Sequence, residues 1–307
     1  MHANGLYENF GTLTEQGFVP STESETLPAR TLLTRFALLD IVGPDSHRFL
    51  QGQLTCDMGA ASTEKWIAGA CCTAKGRMVA NFILTGIENG YRLRLPAAQA
   101  EVLVNHLKKY AVFFKATLTI REDMVVIGET GETDATSSRD VTTTESGVIQ
   151  TLLWGNGRSE HWLMTDSAND FLENQQLYSE LRWHEQDIRE GWLWVTPDST
   201  EAWVPQYCDW HIKEGISFSK GCYTGQEVVA RLQYLGKTKR HLFLVEAEGI
   251  LPAVMSDVSV DGKNSGELGA SCGTLGLAVL SHEGPDLTGT IQDQSVSLTR
   301  LFYTEEN

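Results

Sequence analysis

Ser219–Arg231 reads SKGCYTGQEVVAR, and its physics can be followed residue by residue. Thr224 and Glu227 have the T-x-x-E spacing of a capping box, in which two side chains satisfy free amides at a helix start. Val228, Val229, Leu232 and Leu235 then fall on one helical stripe. Gly236 suits a helix end, and Lys237, Lys239 and Arg240 sit where the negative pole of the helix dipole attracts cations. The spacing predicts a helix from about Gly225 to Leu235. Cys222 lies two residues before the cap, beside Gly221 and Lys220. The glycine gives the backbone conformational freedom. Amides at the helix start and the lysine both favour the thiolate. An ordinary cysteine, with a pKa near 8.5, is only about a tenth ionised at pH 7.5. Lowering it by about one unit takes roughly 1.4 kcal/mol. A helix terminus supplies about 0.3–1 kcal/mol of that, which leaves a share for Lys220. The alternative for Cys222 is a buried structural cysteine in a turn.

Around this stretch, 307 residues with 41% hydrophobic and 21% charged side chains describe a globular chain long enough for two or three domains. No run of 18 apolar residues spans a membrane, and Met1 to Pro20 lacks the blocks of a signal peptide, so a cytoplasmic location is expected. That N-terminal stretch reads as a poorly ordered or loosely packed extension. The net charge of −16 disfavours direct, extended tRNA binding, because a phosphate-binding face needs clustered cations. A local basic patch stays possible, and Lys237-Thr-Lys-Arg240 with Arg231 upstream is the densest. Cysteines 56, 71, 72, 208, 222 and 272 form no Cys-x-x-Cys pair, so no metal site is expected.

Upstream, Thr31 to Val42 reads as strand, Gly43 to Ser46 as a turn and His47 to Leu54 as a short helix. Trp66 to Cys72, Met78 to Thr85 and Tyr91 to Leu95 read as strands, with a hairpin signal at Asn89-Gly90. A helix follows from Pro96 to Tyr110, and Val112 to Ile120 returns as a strand. A second cycle runs through strands at Val125 to Gly128, Val148 to Trp154 and Trp162 to Thr165, then a helix from Asp166 to Arg182. Glu129 to Ser146 lacks periodicity and reads as a loop. Downstream, His241 to Glu246, Val258 to Val260, Gly273 to Leu280 and Ser295 to Tyr303 are strand-like, as in a small β-barrel or sandwich. The class is α+β, with two units of similar build before an all-β tail.

Lys220-Gly221-Cys222-Tyr223-Thr224-Gly225-Gln226-Glu227 matches the K-G-C-Y-x-G-Q-E signature of YgfZ proteins without a substitution. Gly52-Gln53-Leu54-Thr55-Cys56-Asp57, Ala74-Lys75-Gly76-Arg77-Met78, Leu107 to Phe113 and Val204-Pro205-Gln206 resemble the same family in the same order. The resemblance spans roughly residues 30 to 240. It implies a three-domain ring like that of the glycine cleavage system aminomethyltransferase: two ferredoxin-like α+β units, at residues 29–121 and 122–240, and a C-terminal β-barrel at 241–307, after an extension at 1–28. It implies tetrahydrofolate or another folate in a central channel, flanked by aromatics at Phe36 and Trp183, with Asp57 and Glu190 as further candidates. For Asp57 a plain turn or cap role is the alternative. The motif residues Lys220, Gly221, Cys222, Tyr223, Gly225, Gln226 and Glu227 would form the reactive loop.

Two departures from the related aminomethyltransferases bear on chemistry. Their aspartate pair after the A-x-G-G turn corresponds here to Ala80 and Asn81, neither of which exchanges a proton near neutral pH. Their pterin-holding carboxylate corresponds to Arg189 in Ile188-Arg189-Glu190-Gly191, and in a strand Glu190 would face the other way. The resemblance therefore implies a folate-binding accessory protein serving iron–sulfur enzymes, including those that modify tRNA, with Cys222 as its reactive or ligand-presenting group. A folate-dependent aminomethyl or one-carbon transferase or demethylase is the alternative. A thiol redox enzyme or an interaction scaffold is the third reading.

Overall fold

The structure, a computed structural model, describes residues 4–131, 139–143, 147–235 and 238–302. In chain order the elements are α1 (Asn4–Phe10), β1 (Gly11–Thr14), β2 (Gly17–Pro20), β3 (Ala29–Leu32), β4 (Phe36–Val42), α2 (Ser46–Gln51), β5 (Trp66–Cys72), β6 (Met78–Ile87) and β7 (Gly90–Pro96). They continue with α3 (Ala97–Ala111), β8 (Thr117–Ile120), β9 (Met124–Thr130), β10 (Val141–Thr142), β11 (Val148–Gly155), β12 (Arg158–Met164), α4 (Thr165–Leu172), α5 (Glu180–Arg189) and α6 (Gln226–Leu235). The last six strands are β13 (His241–Ala247), β14 (Asp257–Val260), β15 (Lys263–Cys272), β16 (Leu275–Leu280), β17 (Asp286–Ile291) and β18 (Gln294–Arg300).

Two five-stranded sheets, ordered β5-β6-β7-β4-β8 and β10-β11-β12-β9-β3, and a closed barrel β13-β16-β15-β14-β17-β18 make up the α+β architecture. The chain forms two compact units. The first comprises Met1–Leu50, Asp57–Ile67 and Phe82–Trp183, the second Gln51–Cys56, Ala68–Asn81 and His184–Asn307. In the second, Phe243, Val245, Val258, Leu268, Leu280, Val296 and Leu298 alternate inward and fill the barrel.

Local chemistry sets the elements. Asn89 takes φ +59 ahead of Gly90, so β6 and β7 close through a tight hairpin at the Asn-Gly step. Along α3, Leu103, Val104 and Leu107 recur on the buried face, and Lys108 and Lys109 sit in its last turn.

Four expectations change. The N-terminal stretch from Asn4 is ordered as α1 and a β1–β2 hairpin, because Leu6 and Phe18 are buried against Leu32, Ile127 and Leu163. The predicted helix 166–182 breaks in two: Asn174 enters the left-handed region at φ +60, and Leu177 bridges to Arg30 before α5 begins. Residues 112–114 prolong the end of α3 as a turn, with amides bonded to Tyr110 and Ala111, and the strand starts only at Thr117. Ile188 and Arg189 end α5, with Gly191 at φ +74 behind them, so the strand argument about Glu190 does not apply. Most of the predicted loop 129–146, and Gly236 and Lys237, lie outside the described residues, although Glu129 belongs to β9 and Val141–Thr142 form β10, paired with β11. Among the described residues no helix is long and apolar enough to cross a membrane.

Candidate functional site

The second unit builds a rigid seat for one thiol. Thr55 is its pivot: its amide donates to Ala70 O (2.9 Å), its hydroxyl accepts from the Ala70 amide (2.9 Å) and donates to Gly215 O (2.6 Å), and its carbonyl accepts from the Ser217 amide (2.8 Å). The Lys220 side chain, 8% exposed, runs inward, and its Nζ donates to the carbonyls of Leu54 (2.8 Å) and Cys56 (2.7 Å). A buried ammonium needs such acceptors, and charge-assisted bonds of this kind are among the stronger ones. The same ammonium stands 5.2 Å from the ring centroid of Tyr223. The Thr224 amide donates to Gly52 O (3.1 Å) and its hydroxyl to Gln53 Oε1 (3.1 Å). Lys220, Tyr223 and Thr224 are thus fixed, and Cys222 between them is exposed.

The expected capping box therefore gives way to a different junction. The Thr224 hydroxyl ties the loop to residue 53, and α6 begins after Gly225 at φ +87. A Cβ on Gly225 would lie 2.5 Å from Thr73 O, and one on Gly76, at φ +71, 2.9 Å from Val228 Cβ. The two glycines let the Ala74-Lys75-Gly76-Arg77 turn seat on the start of α6. Gln206 Nε2 donates to Val229 O at 2.6 Å, so the Val204-Pro205-Gln206 segment joins the same construction. Gly221 is different: it lies outside the left-handed region, and a Cβ there would meet nothing within 4 Å. Along α6, Val229 is buried, whereas Val228 and Glu227 face solvent. Beneath the loop, burial pushes the Cys71 thiol up to about 12 and raises Cys72 and Tyr223 as well, with Cys56 and Cys72 adding to the effect on Tyr223. Those groups stay protonated. Asn81 is fully buried, donating from Nδ2 to Leu193 O (2.7 Å) and accepting at Oδ1 from the Val195 amide (2.8 Å).

The first unit brings Phe36 and Trp183 into one cluster of rings and guanidinium groups. Arg94, fully buried, lies 3.9 Å from the Phe36 centroid and 5.0 Å from that of Trp154. Arg158 lies 5.2 Å from Trp154 and 4.6 Å from Trp183. Trp154 and Trp183 meet edge to face at 6.2 Å. The Arg94 charge is matched by Glu160, which accepts at 2.6 and 3.2 Å and also takes the Trp162 Nε1 proton at 3.0 Å. Breaking such a buried pair leaves an uncompensated charge, so it fixes the cluster. Gly128 in β9 makes room for Trp183: a Cβ there would sit 2.6 Å from its Cε3. Trp183 is only 1% exposed and its Nε1 has no hydrogen-bond partner among the described residues, whereas Phe36 is partly exposed.

Asp57 and Glu190 have local tasks. Asp57 caps the short 3-10 turn Met58–Ala60, accepting from the Gly59 amide at 3.0 Å. Glu190 accepts from Trp192 Nε1 at 3.3 Å, beside a group in which Trp192 and Trp194 stack at 5.6 Å and Trp210 meets both edge-on. Asp187, fully buried, accepts from Trp194 Nε1 at 2.9 Å. The exposed Arg189 reaches Glu246 at 3.8 Å. Arg94, Arg158 and Glu160 were not singled out from sequence as part of either site. The available signal was charge alternating with Leu or aromatic residues in Arg92-Leu-Arg94-Leu and Arg158-Ser-Glu160-His-Trp162, a pattern that ordinarily marks a solvated face. No group of three or more potential metal ligands occurs among the described residues.

Residues 239–301 match the family described as the CAF17 C-terminal β-barrel domain. The chain is 30% identical over 304 residues to the tRNA-modifying protein YgfZ of Escherichia coli, covering 93% of this chain and 92% of that one. It is 33% identical over 256 residues, 78% of each chain, to the protein of that name from Yersinia enterocolitica, and 32% over 239 residues, 74% of each, to that from Colwellia psychrerythraea. Among solved structures, the glycine cleavage system aminomethyltransferase T from Bartonella henselae shares the fold. Its TM-score is 0.67 at 13% identity, over 96% of this chain and 94% of that one.

Proposed function

The chain belongs to the YgfZ family, and on that premise we propose that it is a folate-binding accessory protein supporting iron–sulfur enzymes and, through them, tRNA modification. Its working group on this reading is the Cys222 thiol. The observation that carries it is the contrast among the cysteines: five are buried, and Cys222 alone is exposed, on a loop pinned by Lys220, Tyr223 and Thr224. An exposed thiol on a loop held by its neighbours can be presented to a partner protein.

Folate fits the first-unit cluster on two grounds. Phe36 is partly exposed, and base-like rings stack on aromatics with about 1–3 kcal/mol each. Among the described residues the Trp183 Nε1 proton has no acceptor, and a pterin carries several. Phe36 and Trp183 would hold the ligand, and when bound it supplies a one-carbon carrier. The Asn81 amide, both ends engaged by backbone, argues for binding over aminomethyl transfer, since it offers no titrating group.

Two experiments test this. Titration with tetrahydrofolate should quench tryptophan emission saturably, and Trp183→Phe and Phe36→Ala, each verified as folded, should weaken it roughly tenfold. A flat titration of the wild type rejects folate binding. In cells lacking the gene, the wild-type chain should restore tRNA thiomethylation and Cys222→Ser should not. Full rescue by the serine variant removes Cys222 from the mechanism.

A further inference from the structure

The turn after α3 carries a surface that the proposed function does not use. Val112 is 74% exposed and Phe113 80%. The backbone there continues the helix end, with Val112 at φ −56, ψ −20 and the Phe113 amide directed at Tyr110 O. Lys108 and Val112, and Lys109 and Phe113, are each four apart on that turn and so neighbour one another. Lys115 follows, and the Arg48 guanidinium lies 5.1 Å from the centroid of Phe114. Arg48, Lys108, Lys109 and Lys115 are exposed and form no ion pair among the described residues. The Asp45 carboxylate reaches the turn and accepts the Lys115 amide at 2.9 Å. The chain has 40 acidic against 24 basic residues, yet the 20 positions from Val102 to Arg121 contain no Asp or Glu. Arg121 is excluded from the patch, since Asp40 and Asp123 neutralise it. The helix dipole accounts for Lys108 and Lys109, but not for Lys115, Arg48 or two exposed apolar side chains.

We propose that this tip binds a short single-stranded polynucleotide segment, with one base stacked on Phe113 and flanking phosphates on Lys108, Lys109, Lys115 and Arg48. An aromatic amid cations is how proteins hold unpaired bases. A narrow strand fits better than a bilayer or a broad protein face. Either of those would bring much of a −16 surface within the screening distance of about 8 Å, whereas a few nucleotides stay within the patch.

The test is fluorescence anisotropy of 5′-labelled octauridylate with the full chain, at about 50 and about 200 mM KCl. Affinity should fall with salt, by about 0.7 in log–log slope per phosphate engaged. Phe113→Ala should bind roughly tenfold more weakly, with its thermal midpoint unchanged. K108E/K109E should bind more weakly still, with a slope smaller by about 1.4. An octathymidylate arm tells whether the ribose is read. No binding at low salt, or binding indifferent to both variants, overturns the proposal. So does a wild-type chain that instead sediments with phosphatidylglycerol vesicles or dimerises through Phe113.

Discussion

At position 221 and position 225 the same residue type does opposite jobs, and each can be separated by one methyl group. Gly225 is required by the backbone: φ is +87 and a Cβ would meet Thr73 O at 2.5 Å. Gly225→Ala should therefore lower stability by about 2–4 kcal/mol in urea unfolding, through strain and displacement of the 73–76 turn. Gly221 meets nothing, so Gly221→Ala should stay within about 0.5 kcal/mol of wild type. If Gly221→Ala nonetheless fails to restore tRNA modification, the glycine is there for the close approach of something outside the chain. An equal loss of stability in both variants would contradict the geometry. Lys220 is a similar case. Proximity in sequence made its charge a natural aid to the Cys222 sulfur, but the ammonium turns inward to two carbonyls, and it holds the loop in place. Sequence distance gives no direction to a long side chain, and so that part of the site was not legible before the fold.

The hairpin of β11 and β12 buries a histidine in a setting that makes it an acid sensor of stability. His161 touches Thr151 at 3.0 Å, Ser159 at 3.3 Å and the Phe171 ring at 5.0 Å, and burial lowers its pKa to about 4. Glu129, 3.7 Å away, pulls upward, but its carboxylate is paired with Arg30 at 2.5 Å and Arg30 pushes down again. The neutral imidazole is the native form. Between the folded value near 4 and the unfolded value near 6.5 the unfolded chain binds the extra proton, so stability is lost as pH falls through that window. The loss should total about 3 kcal/mol, and His161→Gln should flatten this part of the profile. A wild-type chain equally stable at pH 6.5 and pH 4.5 would refute it. Glu180 works the other way. Burial raises its pKa despite bonds from Thr34 and the amides of Phe18 and Arg35, so it favours the folded state at acid pH and loses that contribution as pH rises. At this scale the elements with strong local signals were legible: the Asn89-Gly90 hairpin, α3 and α6 sit within a residue or two of their predicted ranges. The misread ones were decided by long-range partners. Leu177 breaks the second helix by bridging to Arg30, and the arginines of β7 and β12 face an interior of rings and carboxylates instead of water.

Across the whole chain, the two compact units exchange segments, and this has a consequence for how the molecule can be cut. The path crosses from one unit to the other after Leu50, Cys56, Ile67, Asn81 and Trp183, with two of those crossings inside β5 and β6. Hydrophobic patterning reports each strand but not which unit its two halves join. The second unit takes its closure from the early segments 51–56 and 68–81. They supply the Leu54 and Cys56 carbonyls that hold Lys220, the Thr55 pivot, the turn beneath Gly225 and the Asn81 amide that clamps Leu193 and Val195. A fragment of residues 184–307 lacks all of them, and its Lys220 ammonium has no buried acceptors to enter. Expressed alone, it should unfold at lower urea than the full chain, and amides from residue 193 to 229 should exchange with solvent like those of an open loop. The barrel strands should keep more protection, since their ladder closes on itself through β13 and β18. If the fragment instead unfolded in one transition at the wild-type midpoint, with the Cys222 loop protected, the early segments would be passengers, and the seat of the thiol would have to be explained from the C-terminal residues alone.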